Sequence, residues 1–349
     1  MKIVLTGGGT GGHVIPALAL VPSLQAAGYQ IHYIGSKNGI EKDLVKQENL
    51  PYHSISSGKL RRYIDKKNLS DIFRVIKGIG DAYSVLGKIN PDVVFSKGGF
   101  VAVPVVIAAW LRGIPIIIHE SDYSFGLANK IAALFAKVIC VSFAETLNLN
   151  KKATLTGTPI RSHILHGSAK EGHQITGFTD EKPTVLVMGG SGGSVSINKI
   201  VRNALVELTC HFNVVHICGK GNIADINQKG YIQYEFVTDH LPHLYAMADV
   251  IMSRAGANAL AEFLALKKPT LLVPLPKTAS RGDQIQNAKS FADAGYSVVM
   301  EEEELTPQSL MATLQDIYNN GNQYITSMEK SSGIDGVGSI VSIITNLLP

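Results

Sequence analysis

Lys2-Ile3-Val4-Leu5-Thr6-Gly7-Gly8-Gly9-Thr10-Gly11-Gly12-His13 is the stretch that decides the fold. A short β-rich run breaks into glycines, and a helical pattern follows over 14–27, with Pro16 in its first turn, where proline is tolerated. Further apolar strands are expected at 31–34, 92–95, 114–119 and 138–142. Val/Ile runs that alternate with helical patterns indicate a parallel sheet covered on both faces. The pattern restarts at Thr184-Val185-Leu186-Val187-Met188. There a second glycine turn, Gly189-Gly190-Ser191-Gly192-Gly193, leads into a helix expected over 194–208. Strands at 214–218, 234–237, 250–252 and 270–273 complete the second half. The expectation is an α/β chain of two Rossmann-like domains with parallel sheets. Their boundary falls in 158–182, where Gly, Ser, Thr and charged residues dominate. Two such domains facing each other would leave a cleft at the carboxyl ends of their strands.

The bulk composition agrees. A length of 349 residues suits about two domains of roughly 150 residues each. With 45% apolar and 17% charged residues, the chain has material for buried cores and is not a disordered one. The three cysteines, Cys140, Cys210 and Cys218, form no C-x-x-C pair, so neither a disulfide framework nor a zinc ribbon is expected. A reducing compartment fits best. The apolar run at the N-terminus is too short for a signal peptide, and no apolar stretch reaches the ~18 residues of a membrane span. The net charge of +4 allows a phosphate-bearing partner without naming one.

Gly7, Gly9 and Gly12 match the G-x-G-x-x-G dinucleotide pattern, which alone is weak and also fits a tight turn with no ligand. A nicotinamide cofactor also wants an acidic residue at the end of the second strand. That strand ends Ile34-Gly35-Ser36-Lys37, which counts against it. Two glycine turns, one opening each half, suit an anionic ligand such as a pyrophosphate, because each presents backbone N–H groups at a helix start. Ser96-Lys97-Gly98-Gly99-Phe100 is a third turn on the same face.

Several side chains stand where strands end. His13 titrates near neutrality and can take a proton, or can simply hydrogen-bond the loop at a helix start. His119-Glu120-Ser121-Asp122 follows a buried strand, where active sites are built, although Asp122 also suits the N-cap of a helix over 126–135. Glu262 lies two turns into a helix after the small-residue run from Arg254, among Ala, Leu and Phe. A ribose diol would satisfy such a carboxylate, as would an ion pair with Arg254. Gln284 and Asn287 are amides able to read sugar hydroxyls, and Arg161 can meet a phosphate. There is no D-x-D and no His/Cys/Asp cluster, so neither a structural metal nor a cofactor is expected. Residues 59–88 hold eight Lys or Arg against three Asp, with Leu, Ile, Phe and Tyr between them. That reads either as an amphipathic face on an anionic membrane or as a solvated helix. The apolar end, 340–348, is expected to pack on a domain.

Seven motifs in chain order resemble the MurG family. They are residues 7–13, 96–100, His119-Glu120 with Gly126-x-x-Asn129-Lys130, Thr158-Pro159-x-Arg161, 189–193, 254–262, and Gln284-x-x-Asn287-Ala288. Members are peripheral-membrane N-acetylglucosaminyltransferases of GT-B fold that turn lipid I into lipid II. The resemblance implies an N-terminal acceptor and membrane-facing domain, 1–160, with the helix at 336–349 packed back on it. It implies a C-terminal UDP-GlcNAc domain, 161–335. Glu262 would hold the ribose, Arg161 and Ser191 the phosphates, and Gln284 and Asn287 the sugar. Thr10, Gly11 and Gly12 would approach the donor, and His13 the diphosphate or the acceptor. Gly98, Gly99 and His119 would hold the acceptor, and His13, Glu120 or Asp122 would be the base. The partners implied are UDP-GlcNAc, undecaprenyl-pyrophosphoryl-MurNAc-pentapeptide (lipid I) and the anionic cytoplasmic face of a bacterial cell membrane, with no nucleic acid. The chain departs from the family at Ser121-Asp122, where Gln-Asn is common, and at Ala255, where Ser is common. Rival readings are a GT-B enzyme with another acceptor, an epimerase or hydrolase, and a nucleotide-sugar binding module.

Overall fold

The structure, a computed structural model, describes residues 1–58, 67–190, 192–331 and 335–347. The chain divides into two compact units, Met1–Arg161 with Ile334–Pro349, and Ser162–Gly333. The first unit carries β1 (Lys2–Thr6), β2 (Gln30–Ser36), β3 (Tyr52–Ile55), β4 (Val93–Ser96), β5 (Ile116–Glu120), β6 (Val138–Val141) and β7 (Ala153–Leu155). Their order in the sheet is β3-β2-β1-β4-β5-β6-β7, every pairing parallel. The second unit carries β8 (Thr184–Met188), β9 (Asn213–Ile217), β10 (Tyr231–Tyr234), β11 (Val250–Ser253), β12 (Thr270–Leu272) and β13 (Ser297–Val299). They run β10-β9-β8-β11-β12-β13, again all parallel. Both units are thus Rossmann-like.

The period-2 alternation of the strands explains why both sheet faces are covered. Ile3, Leu5, Tyr33, Phe95 and Ile117 point into one core, while Val4, Ile34, Val94, Ile116 and Ile118 point into another on the opposite face. The second core receives the helices Lys67–Ile89, Ala102–Leu111 and Leu127–Phe135. The first receives the last helix, Gly336–Asn346, through Ile340 and Ile344, both fully buried.

The expected helix over 14–27 is two helices, Gly11–Leu18 and Val21–Ala26. Pro22 has no N–H to give the Leu18 carbonyl, so the ladder breaks there. Helix onset at Gly11 also moves Pro16 out of the first turn. The helix expected over 194–208 likewise divides, into Val195–Asn203 and Leu205–His211. Strands β3, β7 and β13 have no counterpart in the sequence reading, and the expected strand 234–237 lies three residues earlier, as β10. These four strands are the edges of the two sheets, where one side lacks a neighbour and short, polar sequences are tolerated.

Ile340→Ala should destabilise the first unit by about 2–4 kcal/mol, the usual cost of a truncated buried aliphatic side chain. The chain's one tryptophan, Trp110, lies in that unit against Phe135, so its fluorescence reports the transition in denaturant. An unchanged midpoint would show that the last helix is not part of the core.

Candidate active site

In each unit the parallel strands deliver their carboxyl ends to one edge, where the candidate residues gather. In the first unit the turn after β1 is packed from within. Tyr33 Oη donates to the Gly7 carbonyl at 2.8 Å. Glu41, wholly buried, accepts from Gly9 N at 3.4 Å, from Ser36 N at 2.9 Å and from Ser36 Oγ at 2.5 Å. A Cβ at Gly8 would meet the Glu41 carboxyl, and one at Gly9 (φ +89°) would meet the Phe100 ring. Thr10 and Gly12 are exposed, Gly11 and His13 partly buried. The turn after β4 lies against this one: a Cβ at Gly99 (φ +81°) would meet the Gly8 carbonyl and the His13 ring.

The loop after β5 is tightly bonded. The wholly buried His119 places Nε2 2.9 Å from the Gly157 carbonyl oxygen, so that nitrogen carries the proton. Burial, and then the Lys97 ammonium, hold the ring well below the usual histidine range, so it is neutral. Glu120 Oε1 accepts from Asp122 N at 3.1 Å. Its Oε2 accepts from Gly126 N at 2.9 Å and from Asn129 Nδ2 at 3.0 Å. Three donors on one buried carboxylate make Glu120 a brace for the loop. The helix that follows starts at Gly126 as N-cap, so Asp122 is not its cap, as one sequence reading allowed. Asp122 stands partly exposed. Lys97, 1% exposed, donates from Nζ to Ser121 Oγ at 2.8 Å.

The second unit holds a cavity of about 660 Å³ after β8 and β11. Ser194 caps the helix Val195–Asn203, and Gly189, Gly190, Ser196, Lys199, Arg254 and Gln284 line the space with it. Three glycines here face open space, since a Cβ at Gly190, Gly192 or Gly256 would touch nothing, whereas one at Gly189 or Gly193 would meet the backbone of Ser194 or Cys218. Arg254 is buried and fixed. Its Nη1 donates to the Val273 and Pro274 carbonyls at 3.1 Å each, and its Nη2 to Ser194 Oγ at 2.8 Å and Ser196 Oγ at 2.9 Å. Its ionic contact is Glu302, at 2.5 Å. The sequence alternative of a Glu262–Arg254 pair is therefore not what forms; Glu262 instead accepts from Tyr245 Oη at 2.9 Å. Gln284 lines the cavity while its Oε1 accepts from Leu275 N at 3.1 Å. Asn287 is wholly buried, donating to the Ala255 carbonyl at 3.2 Å, so it orders the Arg254 loop. Arg161, where the first unit ends, is partly buried. Ser191 lies outside the described residues.

Glu41, Ser194, Ser196, Lys199 and Glu302 were not singled out from the sequence. Ser194, just past a glycine run and before an amphipathic helix, carries a cap signal that would have found it, with Ser196 in the first turn behind it. Glu41 and Glu302 reach their partners from loops and helix starts that no spacing rule connects.

Two family descriptions match the chain: the glycosyltransferase family 28 N-terminal domain over residues 3–141 and the corresponding C-terminal domain over 184–341. A relative from Clostridium tetani is 52% identical, covering 98% of this chain and 97% of its own. One from Clostridium botulinum (strain Loch Maree) is 53% identical, covering 98% of both. Both bear the name UDP-N-acetylglucosamine–N-acetylmuramyl-(pentapeptide) pyrophosphoryl-undecaprenol N-acetylglucosamine transferase. Among solved structures, Acinetobacter baumannii MurG superposes with a TM-score of 0.77 at 27% identity over 99% of both chains. The glycosyltransferase of kitacinnamycin reaches 0.77 at 16% identity, over 100% of this chain and 99% of its own, a likeness of fold alone.

The contrast between the two turns has a direct test. Gly9→Ala should cost about 1–3 kcal/mol, since it meets both a left-handed φ and the Phe100 ring. Gly192→Ala, in open space, should stay within about 0.5 kcal/mol of the parent. Thermal unfolding of the two variants compares them; equal losses would refute the contrast.

Proposed function

Because the chain belongs to glycosyltransferase family 28, we propose as its reaction the transfer of N-acetylglucosamine from UDP-GlcNAc to the MurNAc 4-hydroxyl of lipid I, giving lipid II. It is a hexosyltransferase of GT-B fold, and the relatives at 52–53% identity over nearly the whole chain carry the reading. The open, glycine-lined cavity of the second unit supports donor binding there. The uracil-side diphosphate would lie at the N-terminus of the helix Val195–Asn203, whose first N–H groups favour an anion. Arg254, Lys199 and Arg161 would supply positive charge, and Ser191 a hydroxyl. Gln284 would meet the sugar and Glu262 the ribose, with Asn287 holding the loop beneath. Thr10, Gly11, Gly12 and His13 would serve the donor and the diphosphate from the first unit, and Gly98, Gly99 and His119 the acceptor side. No cofactor enters this scheme.

In the reaction the acceptor oxygen forms its bond to the anomeric carbon as the bond to UDP breaks, with inversion. The hydroxyl proton goes to a base. Asp122, two residues beyond the thrice-bonded Glu120 and partly exposed at the strand end, would accept that proton. His13 would then orient the substrates. Charge growing on the departing diphosphate is met by fixed N–H groups and guanidinium, which need no reorganisation.

The helix Lys67–Ile89 supports a peripheral membrane role at an anionic cytoplasmic leaflet. Phe73 (67% exposed) and Ile76 (59%) stand beside exposed Arg74 and Lys77. Trp110 and Leu111 add exposed apolar surface in the same unit. The basic residues 59–66 lie outside the described residues, and no described helix is long and apolar enough to cross a membrane.

Three outcomes are expected. UDP should be released from UDP-GlcNAc only when a short-chain lipid I analogue is present, with a disaccharide product. Release without acceptor would turn the reading to an epimerase or hydrolase. Asp122→Asn should lower kcat by about 10²–10⁴-fold with little change in KM for the donor, and near-parent turnover would remove it as the base. Phe73→Ser with Ile76→Ser should weaken sedimentation with phosphatidylglycerol vesicles several-fold at low salt; unchanged binding would move the membrane face elsewhere.

A further inference from the structure

The helix Val195–Asn203 starts at the cavity of the second unit, and Asn198 lies one turn into it, buried. Asparagine is a poor residue for a helix interior, and a buried amide is costly unless both its ends are bonded. Both ends are bonded here: Nδ2 donates to the Cys218 carbonyl at 2.9 Å, and Oδ1 lies 2.9 Å from His216 Nε2. His216 is wholly buried in β9, with Nδ1 2.9 Å from Tyr231 Oη on β10. The scheme above gives this row of side chains no task.

The protons along the row can be placed one by one. A carbonyl only accepts, so Asn198 turns Nδ2 to Cys218 and Oδ1 to the histidine. His216 Nε2 therefore carries the ring proton and donates it, and the Nδ1 lone pair accepts from the Tyr231 hydroxyl. Burial first, and the Arg202 guanidinium second, push the ring down to about 3, so it is neutral and keeps this tautomer. The row ends at the glycine turn. The Cys218 carbonyl fills the place where a Cβ on Gly193 (φ +74°) would sit, and one on Gly219 (φ +91°) would come within 2.6 Å of the Gly193 Cα. Gly193 lines the cavity and donates to the Gly190 carbonyl at 3.0 Å, while Asn198 N donates to the Ser194 carbonyl at 2.8 Å. One amide thus ties the first turn of the helix to the carbonyl against which Gly193 packs.

We propose that His216 is a positioning residue for the donor: by orienting Asn198 it fixes Gly193 and the first N–H groups of the helix Val195–Asn203 where the diphosphate of UDP-GlcNAc binds. The ring lies beneath the cavity and touches no substrate. The inference rests on the reading of that helix start as the diphosphate site and deepens it. N–H groups held in place meet an anion without reorganising, so loosening them costs affinity for the nucleotide and not for the acceptor.

The test is steady-state kinetics of the full chain with UDP-GlcNAc and a short-chain lipid I analogue, beside calorimetric titration with UDP. His216→Leu leaves the Asn198 oxygen without its donor. It should raise donor KM and the UDP dissociation constant about tenfold, with kcat and acceptor KM within about threefold. His216→Gln, whose amide N–H can stand where the Nε2–H stood, should bring both back to within about threefold of the parent. Tyr231→Phe removes the hydroxyl that sets the tautomer; it should raise donor KM about two- to fivefold, and it serves as the test should His216→Leu not fold. A lower melting temperature with donor KM and UDP affinity unmoved would assign the row to folding alone and overturn the proposal. A loss confined to kcat or to acceptor KM, or a Gln variant no better than the Leu variant, would overturn it too. Lys199→Ala, at the cavity wall, separates the two levels. If it leaves UDP affinity unchanged, the site reading fails and the inference falls with it; if it weakens UDP while the His216 and Tyr231 variants do not, only the present inference fails.

Discussion

In a parallel sheet every strand hands its chain to the same edge, and the rest of this structure depends on that constraint. Because β1, β4 and β5 are neighbours, the glycine turn, the second glycine pair and the His119–Asp122 loop emerge side by side. Because β8 and β11 are neighbours, the turn at 189–193 and the Arg254 loop do the same in the second unit. The hydrophobic cores on the two faces of each sheet hold these loop origins in place, so geometry at the edge is inherited from packing below.

Two turns of nearly the same composition have different fates on that scaffold. After β1 the glycines are needed because the protein fills the space itself, with the Glu41 carboxyl, the Phe100 ring and the neighbouring turn. After β8, Gly190 and Gly192 face open space while the helix behind them is capped by Ser194, which also accepts from Arg254. The first turn therefore organises, and the second has room to bind. A glycine pattern alone does not distinguish a close approach by a ligand from a close approach by the chain; the side chains arriving from other elements do.

Those arrivals mark the limit of what the sequence made legible. The βα alternation, the two glycine turns and the strand-end motifs could be read directly, because hydrophobic period and turn chemistry are local properties. The breaks at Leu18 and Ala204 were missed because a long apolar pattern masks a local fault, although Pro22 announces the first. Edge strands were missed because exposure on one side removes the apolar signal. Glu120 looked like a free acid at a strand end, yet Gly126 and Asn129 fold back on it. An ion pair with Arg254 was one alternative to a ribose for Glu262, yet the arginine is taken by two serines, two carbonyls and Glu302, and Tyr245 donates to the acid. Each of these depends on contacts distant in sequence, which no single-chain pattern encodes.

The central claim is that the open turn of the second unit, not the filled turn of the first, receives the nucleotide. The most direct measurement is a crystal structure of the full chain soaked with UDP-GlcNAc. The account predicts the diphosphate against the N-terminus of the helix Val195–Asn203, beside Ser194 and Arg254, with the first turn still closed over Glu41. Nucleotide density seated on residues 7–12, with Glu41 displaced, would contradict it.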